Sequence, residues 1–501
     1  MSTSPVRKFF ALAVATIFLS SCTTGCEPTK GGCEEDEELI EGECVPISEE
    51  LPYDTSGIFQ SLLGFNPTIG MKGGDYVAAF ESEGWSAVYE NSEYYEEYMS
   101  NLEAEIGANV ELAKELDFNV DREIAGVFTW NVIEPEKGTF DWSMSDQVVG
   151  AVGEANMTLA GVIQPFASWD QDSVPEGCTS RDFAYYDYKA DSPTDWDEYK
   201  VFLTALVERY DGDGDENDME DLTVPVHIWE IGNEYDGSCG GNLNEAENLY
   251  ELQKVSYETI KAADSKAIVL NAGALETSST VVDPNFWEDF FELGGGNYMD
   301  AFNMHFNTAK GGASDSTTSQ FKKNVMHFED LMAKVGLDLP IWITEFGTYS
   351  GDPAGSPPDE QSRDFQAAWH MEASVFSLAH RVEKIFIDFI GKDGDAIGGS
   401  ALYDEDTGTL REFATTLRTI EEKLGDFDSV EYIGDTGPGE EELGQYLFTT
   451  DGKEVYVLWE GSTPTDLTGT VIVTDMYGNE STMDASEIEF SEDTPIFVEK
   501  D

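Results

Sequence analysis

The chain has 501 residues, of which 101 are acidic and 27 basic, for a net charge of −74; 40% are hydrophobic and 12% aromatic. A surface this acidic repels nucleic acid and anionic membranes on average, which excludes both as general partners. The acidic residues are spread through apolar, aromatic-rich stretches, so low-complexity acidic disorder is excluded too; a folded protein with an acidic coat, soluble in high salt, is expected.

Residues 1–21 read as an export signal. Arg7 and Lys8 precede the apolar run "ALAVATIFL", which is too short to span a bilayer. The sequence that follows, Leu19-Ser20-Ser21-Cys22, resembles the bacterial lipoprotein signal. That resemblance implies lipidation of Cys22 and an extracytoplasmic, lipid-anchored location; ordinary secretion with cleavage nearby is the alternative. Residues 22–52 form an acidic stretch almost without aromatics, read as a tether containing Cys26, Cys33 and Cys44. Cys178 and Cys239 each follow a predicted strand by a few residues. In an oxidising compartment a disulfide between their two loops is expected.

From Tyr53 the composition becomes globular, and apolar runs alternate with amphipathic segments. Strands are predicted near "IFQSLLGFN" and over 124–130, 158–169, 224–234, 267–275, 299–306, 339–347 and 382–391. Helices are predicted between them, for example over 195–210 and 411–425. Strict alternation demands a parallel sheet. Eight units favour an α/β fold of the closed (β/α)8 type, a TIM barrel, over 53–427. An open doubly wound sheet is the alternative, but no Gly-rich phosphate loop follows the first strand. Residues 428–501 change to short alternating runs with a hairpin signal at "DMYGNE" and read as a small C-terminal antiparallel β-sandwich domain.

The barrel assignment gives meaning to two carboxylates. Catalytic groups of such barrels lie at the C-terminal ends of the strands. "HIWEIGNE" ends on Asn233 and Glu234 at the fourth strand, and "IWITEFG" places Glu345 at the end of the seventh. Two carboxyl groups facing one pocket suit glycosidic cleavage, one protonating the leaving oxygen and the other facing the sugar carbon. Glu230 has the parity of Glu234 four residues deeper and reads as an anchor of the barrel interior. Arg122 is a candidate for orienting a carboxylate if it lies on the second strand. Trp130 and Trp169, expected to close the second and third strands, could stack on a sugar ring. Asp170 and Gln171 could bind hydroxyl groups, and His305 is expected to end the sixth strand at the mouth. In "DGDGDENDMEDL", Asp211, Asp213, Asp215 and Asp218 could hold calcium. Glu216 and Leu222 depart from the EF-hand pattern, and a solvated acidic loop is the competing reading.

Over roughly residues 110–425 these features together resemble the clan of retaining (β/α)8 glycoside hydrolases. The residues carrying the likeness are "FTWNVIEPEKGTFDWSMSDQVV" (128–149), "WEIGNE" and "IWITEFG". The resemblance implies Glu234 as acid/base, Glu345 as nucleophile and Asn233 as the partner of the sugar 2-hydroxyl. It also implies a β-linked poly- or oligosaccharide as substrate, with no cofactor required for chemistry, and the acidic surface points to a neutral one. One departure is the eighth strand, where "IFIDFIGKDGD" lacks the tryptophan that many members carry; Phe389 or Lys392 could take its place. A non-catalytic glycan-binding surface lipoprotein on the same scaffold is the second reading.

Overall fold

In the computed structural model the described residues are 57–62, 116–123, 126–171, 191–237, 241–275, 283–308, 318–348, 362–388, 409–436, 442–450 and 452–500. Short pieces at 37–40, 43–46, 390–391 and 402–404 and single positions at 100, 110, 113 and 114 complete them. Within the expected tether, Glu37–Ile40 pairs antiparallel with Glu43–Pro46. Cys22, Cys178, Cys239 and Phe389 fall outside the described residues, as does Lys392.

Eight strands form one parallel sheet: β1 (Phe59–Leu62), β2 (Val120–Glu123), β3 (Thr158–Ile163), β4 (Ile228–Asn233), β5 (Ile268–Gly273), β6 (Phe302–Thr308), β7 (Ile341–Thr348) and β8 (Val382–Asp388). Their order is β5-β4-β3-β2-β1-β8-β7-β6, and single parallel bridges from Leu270 to Ala301 and from Ala274 to Met304 join β5 to β6. The sheet therefore closes into a barrel. Its floor is a layer of Val120, Ala160, Ile228, Leu270, Ala301, Trp342 and Phe386, from β2 to β8 in turn. Side chains alternate along a strand, so this layer fixes which residues of each strand point inward above it.

The outer layer is helical: α1 (Trp130–Ile133), α2 (Ser143–Glu154), α3 (Trp196–Tyr210), α4 (Ala246–Ala263), α5 (Phe286–Glu292), α6 (Ser319–Lys334), α7 (Arg363–Ala379) and α8 (Phe413–Leu424). Helix α3 shows why these segments are helices. The Asp195 carboxylate accepts from the Glu198 N–H as N-cap, Asp197 and Glu198 occupy the first turn, and Arg209 the last. Tyr199, Phe202, Leu203, Leu206, Val207 and Tyr210 recur at helical spacing and are buried. Helix α7 is buried on nearly all sides from Gln366 to Leu378, which matches its apolar sequence and its place between the barrel and the C-terminal sheet.

The expected strand over 124–130 is corrected. The second strand is the charged segment Val120–Glu123, and Trp130 opens α1 after a turn at Val127 and Phe128. Asp121, Arg122 and Glu123 are all buried, so the strand lacks the apolar run by which strands are read.

The C-terminal strands are β9 (Phe427–Tyr432), β10 (Gln445–Thr450), β11 (Lys453–Leu458), β12 (Thr470–Asp475), β13 (Glu480–Asp484) and β14 (Ile496–Lys500), in one antiparallel sheet ordered β9-β10-β11-β14-β12-β13. Tyr446, Phe448, Val455, Val457 and Phe497 join the core of the barrel and its helices. Tyr456, Leu458, Val471, Val473 and Val498 face the other way and are covered by Leu467, Ala485 and Ile488. Both faces are apolar because both are covered. Polar ties cross the junction: His380, paired with Glu329 of α6 at 2.8 Å, lies 3.3 Å from Glu442, and Lys423 pairs with Glu499 at 2.7 Å.

Candidate active site

Above the apolar floor the barrel interior turns polar. Arg122 of β2 is fully buried and fills this level. Its Nε donates to Glu230 Oε2 at 2.7 Å, and Nη2 donates to Glu230 Oε1 at 2.8 Å and to Asn233 Oδ1 at 2.7 Å. Nη1 reaches Glu345 Oε1 at 2.9 Å. Burial works against the guanidinium charge, but Glu230 and then Glu345 outweigh it, so its pKa is raised and it stays charged. Glu230 is the anchor that parity indicates, and one of its oxygens also accepts from Gly273 N at 3.3 Å.

Glu234 is not the last residue of β4, which closes at Asn233. Gly232 has φ +78° and Glu234 φ +52°, so the extended backbone ends in two left-handed residues around Asn233. A side chain at position 232 would in addition collide with the Tyr235 ring. The twist lets Asn233 meet Arg122 and Glu234 turn to His305, whose Nδ1 lies 2.8 Å from Glu234 Oε1. Held left-handed, Glu234 is the kind of strained non-glycine residue that clusters at functional sites. Asp236 fixes the following turn: its Oδ2 accepts from Trp287 Nε1 and Leu275 N, both at 2.8 Å, and burial pushes its carboxyl up to about 6.

The seventh strand carries the other carboxylate through an irregularity. β6 and β7 pair as Met304 to Ile343, then as His305 to Glu345, so β7 holds one extra residue, Thr344. The pairing of β7 with β8 shifts over the same stretch. Trp342 and Thr344 continue the inward row, and regular alternation would turn Phe346 inward next. The bulge instead directs Glu345 into the barrel and leaves Phe346 packed against Phe321 and Trp369. Glu345 therefore lies inside a strand running to Thr348, and His305 inside one running to Thr308, rather than at their ends. Glu345 Oε2 accepts from Asn307 Nδ2 at 3.3 Å.

Glu234, His305 and Glu345 each offer an atom within 4.8 Å of the others. Burial and the Glu345 charge hold the Glu234 carboxyl above the usual carboxylate range. Burial also works to raise Glu345, but His305 and Arg122 outweigh it and bring its pKa down. The three side chains could in principle surround a metal ion, but the Arg122 guanidinium already occupies one oxygen of Glu345 and disfavours a second cation there. Two carboxyl groups driven apart in pKa make an acid and an anion side by side.

Other predicted residues stand elsewhere. Trp130 has no exposed surface and gives its indole N–H to Glu134 Oε2 at 2.6 Å, so it is a core group. Trp169 is partly exposed, donates to the Glu134 carbonyl at 2.8 Å and carries the Lys137 ammonium over its ring. Asp170 accepts from the N–H groups of Thr194 and Asp195, and Gln171 is buried, accepting from Ala167 N and donating to the Pro165 carbonyl. Gln171 thus closes the turn after β3, and Asp170 ties that turn to the N-terminus of α3. In the acidic loop, carboxylate oxygens of Asp211, Asp213 and Asp218 converge within 4.8 Å, while Asp215 turns to Asn217. Burial, with Asp213 and Asp218 adding to it, pushes Asp211 up to about 6. Sequence reasoning missed Thr344, Asn303 and Gly273. For Gly273 the signal is steric: a Cβ there would run into the His305 ring.

A family model described as "Glycosyl hydrolase catalytic core" matches residues 233–416, a span that contains both Glu234 and Glu345. No curated protein sequence matches the chain. Among solved structures, the chain is similar to the GH39 enzyme from Xanthomonas axonopodis pv. citri, with TM-score 0.51 and 12% identity over 79% of this chain and 90% of that one. A family 39 glycoside hydrolase from Bacteroides cellulosilyticus WH2 gives TM-score 0.49 and 16% identity over 79% and 78% of the two chains. A monomeric β-xylosidase from Caulobacter crescentus CB15 gives 0.48 and 12% over 79% and 92%. At 12% identity the likeness to the Xanthomonas enzyme is one of fold alone.

The Arg122 cluster yields a stability test. Arg122→Met leaves Glu230 fully buried without its cation, and removing one partner of a buried pair costs about 3–5 kcal/mol. Urea denaturation should show a loss of that size; a midpoint within error of wild type would mean that the pair does not anchor the barrel.

Proposed function

We propose, from the premise that this chain is a glycosidase with a (β/α)8 catalytic core, that it cleaves β-linked sugars with retention of anomeric configuration. Glu345 is the nucleophile and Glu234 the acid and base. The observation that carries this reading is the approach of a Glu234 oxygen to within 4.8 Å of a Glu345 oxygen, with opposite pKa shifts. Retaining enzymes hold their carboxyl groups about 5–5.5 Å apart, whereas inversion needs a wider gap for a water.

In the first step a Glu345 oxygen attacks the anomeric carbon while the Glu234 proton passes to the departing glycosidic oxygen. In the second, Glu234 takes a proton from water, the water oxygen attacks the same carbon, and Glu345 is released. Arg122 and Asn307 hold the two Glu345 oxygens in place. The Asn233 carbonyl is occupied by Arg122, which leaves its NH2 group to meet a sugar hydroxyl. Two carboxyl groups and water suffice for this chemistry without a cofactor. Neutral poly- or oligosaccharides are the substrate class, because the net charge of −74 disfavours anionic ones.

Glu345→Gln should abolish turnover of every β-glycoside the wild type cleaves. Glu234→Gln should lose about 10²–10⁴-fold on substrates with poor leaving groups and much less on activated aryl glycosides. The wild-type kcat/KM should fall as pH drops through the Glu345 pKa and as pH rises through that of Glu234. A polysaccharide panel with NMR of the first-formed anomer reads out the substrate and the stereochemistry. An inverted product, or full activity of Glu345→Gln, would reject the assignment; binding without any hydrolysis across the panel would favour the glycan-binding reading.

Two further features belong to this reading. Calcium held by Asp211, Asp213 and Asp218 would stiffen the loop leading into β4, since three hard oxygen donors meet there. Adding millimolar calcium to chelator-treated protein should raise Tm; an unchanged melting curve would reject the site. The chain is also proposed to be exported through residues 1–21 and anchored by lipid at Cys22. Cys22→Ala should move the protein from the membrane fraction to the soluble one in a bacterial host that lipidates exported proteins, and a variant that stays with the membrane would refute the anchor.

A further inference from the structure

Beneath the carboxylates lies a chain of buried hydrogen bonds that the reaction scheme does not use. Asn303, Thr344 and His305 are all at most 2% exposed. The Thr344 backbone N–H donates to Asn303 Oδ1 at 3.3 Å. A backbone N–H can only donate, so the Asn303 atom it meets is the carbonyl oxygen. The other end of the same amide agrees, since Asn303 Nδ2 donates to the Asn271 carbonyl at 3.3 Å. Thr344 Oγ1 lies 2.8 Å from that same Asn303 oxygen, so its one proton is given there. At 2.9 Å from His305 Nε2, the hydroxyl oxygen is then an acceptor, and Nε2 must carry a proton. In neutral His305 the other ring nitrogen, Nδ1, is therefore a bare lone pair. It faces Glu234 Oε1 at 2.8 Å, a contact that is favourable only with a proton between the two atoms.

We propose that Thr344, oriented by Asn303, is a positioning residue that locks His305 in its Nε2–H tautomer and so makes the Glu234–His305 pair retain the proton used in glycosidic cleavage. The inference rests on Glu234 being the acid. The proton sits between Glu234 Oε1 and His305 Nδ1 at rest. It leaves the pair for the glycosidic oxygen as that bond breaks, and the attacking water returns one in the second step. With the pair emptied, the Nδ1 lone pair repels the Glu234 carboxylate, and Glu234 becomes a stronger base for that return. Among the described residues, the charged groups around the pair are Arg122 on β2, Glu230 on β4, Asp236 after β4 and Glu345 on β7. Glu230, Glu234 and Glu345 would be three anions against one guanidinium, which also favours keeping one proton. The β7 bulge makes the device possible, because it places Thr344 and Glu345 together opposite His305.

Long-range 1H–15N spectra of histidine-labelled wild-type protein read the tautomer directly. The chain has five histidines, and His305 is assigned by its absence in His305→Gln. The expected result is a neutral ring protonated at Nε2; a neutral ring protonated at Nδ1 would overturn the proposal. Thr344→Val removes the acceptor and lets Nδ1–H form and stabilise the Glu234 carboxylate. The basic limb of kcat/KM should then move down by about one pH unit, with roughly tenfold loss near neutral pH for poor leaving groups and little for activated aryl glycosides. Thr344→Ser should restore wild-type behaviour. A Thr344→Val enzyme with the wild-type limb and leaving-group dependence would also overturn the proposal. Should Thr344→Val not fold, the wild-type spectrum still decides. Full activity of Glu234→Gln would sink the acid assignment, while the tautomer spectrum would still report on the Thr344 lock.

Discussion

The buried guanidinium of Arg122 is the constraint around which the upper half of the barrel is organised. A cation with no exposed surface is tolerable only if its donors are satisfied by anions and carbonyls, and here Glu230, Asn233 and Glu345 do so from β4 and β7. The same bonds tie β2 to two distant strands and orient the Glu345 carboxylate. Burial alone would drive Glu234 and Glu345 toward their neutral forms. Arg122 keeps Glu345 anionic, and Glu234, farther from that charge, rises under burial and repulsion. One interaction therefore sets both the register of the interior and the asymmetry of the pair.

Two departures from regular strand geometry deliver the carboxylates to each other. On β4, Gly232 and Glu234 adopt positive φ, so Asn233 and Glu234 both reach inward where an ideal strand would alternate them. On β7 an extra residue resets the alternation between Thr344 and Phe346. Regular strands would have pointed Phe346 into the barrel and Glu345 at the helices. A bulge re-aims the side chain that follows it, and here the re-aimed residue is Glu345.

The rest of the chain supports this core in an acidic setting. The C-terminal sheet covers α7, and its ties to the barrel use a few buried or half-buried cations, among them Lys322 and His380, each met by Glu442. With 27 basic residues against 101 acidic ones, many surface carboxylates have no basic partner. Such a surface repels itself, and salt screening eases that repulsion.

The sequence by itself determined the alternation of strands and helices and the (β/α)8 class, because hydrophobic periodicity is a local property, and it singled out Asn233, Glu234 and Glu345 as candidates because they stand where apolar runs end. It also marked Glu230 as an interior group, since parity needs only a strand direction. It misplaced the second strand, because "VDRE" is charged and its apolar partner surface is supplied by other strands. It offered Trp130, Asp170 and Gln171 as ligands for sugar, although each is engaged in holding a loop. The bulge at Thr344, the room that Gly273 leaves for His305 and the fourfold engagement of Arg122 were decided only in the tertiary structure. Each depends on which distant backbone lies opposite, and a one-residue shift in strand register inverts every side chain beyond it.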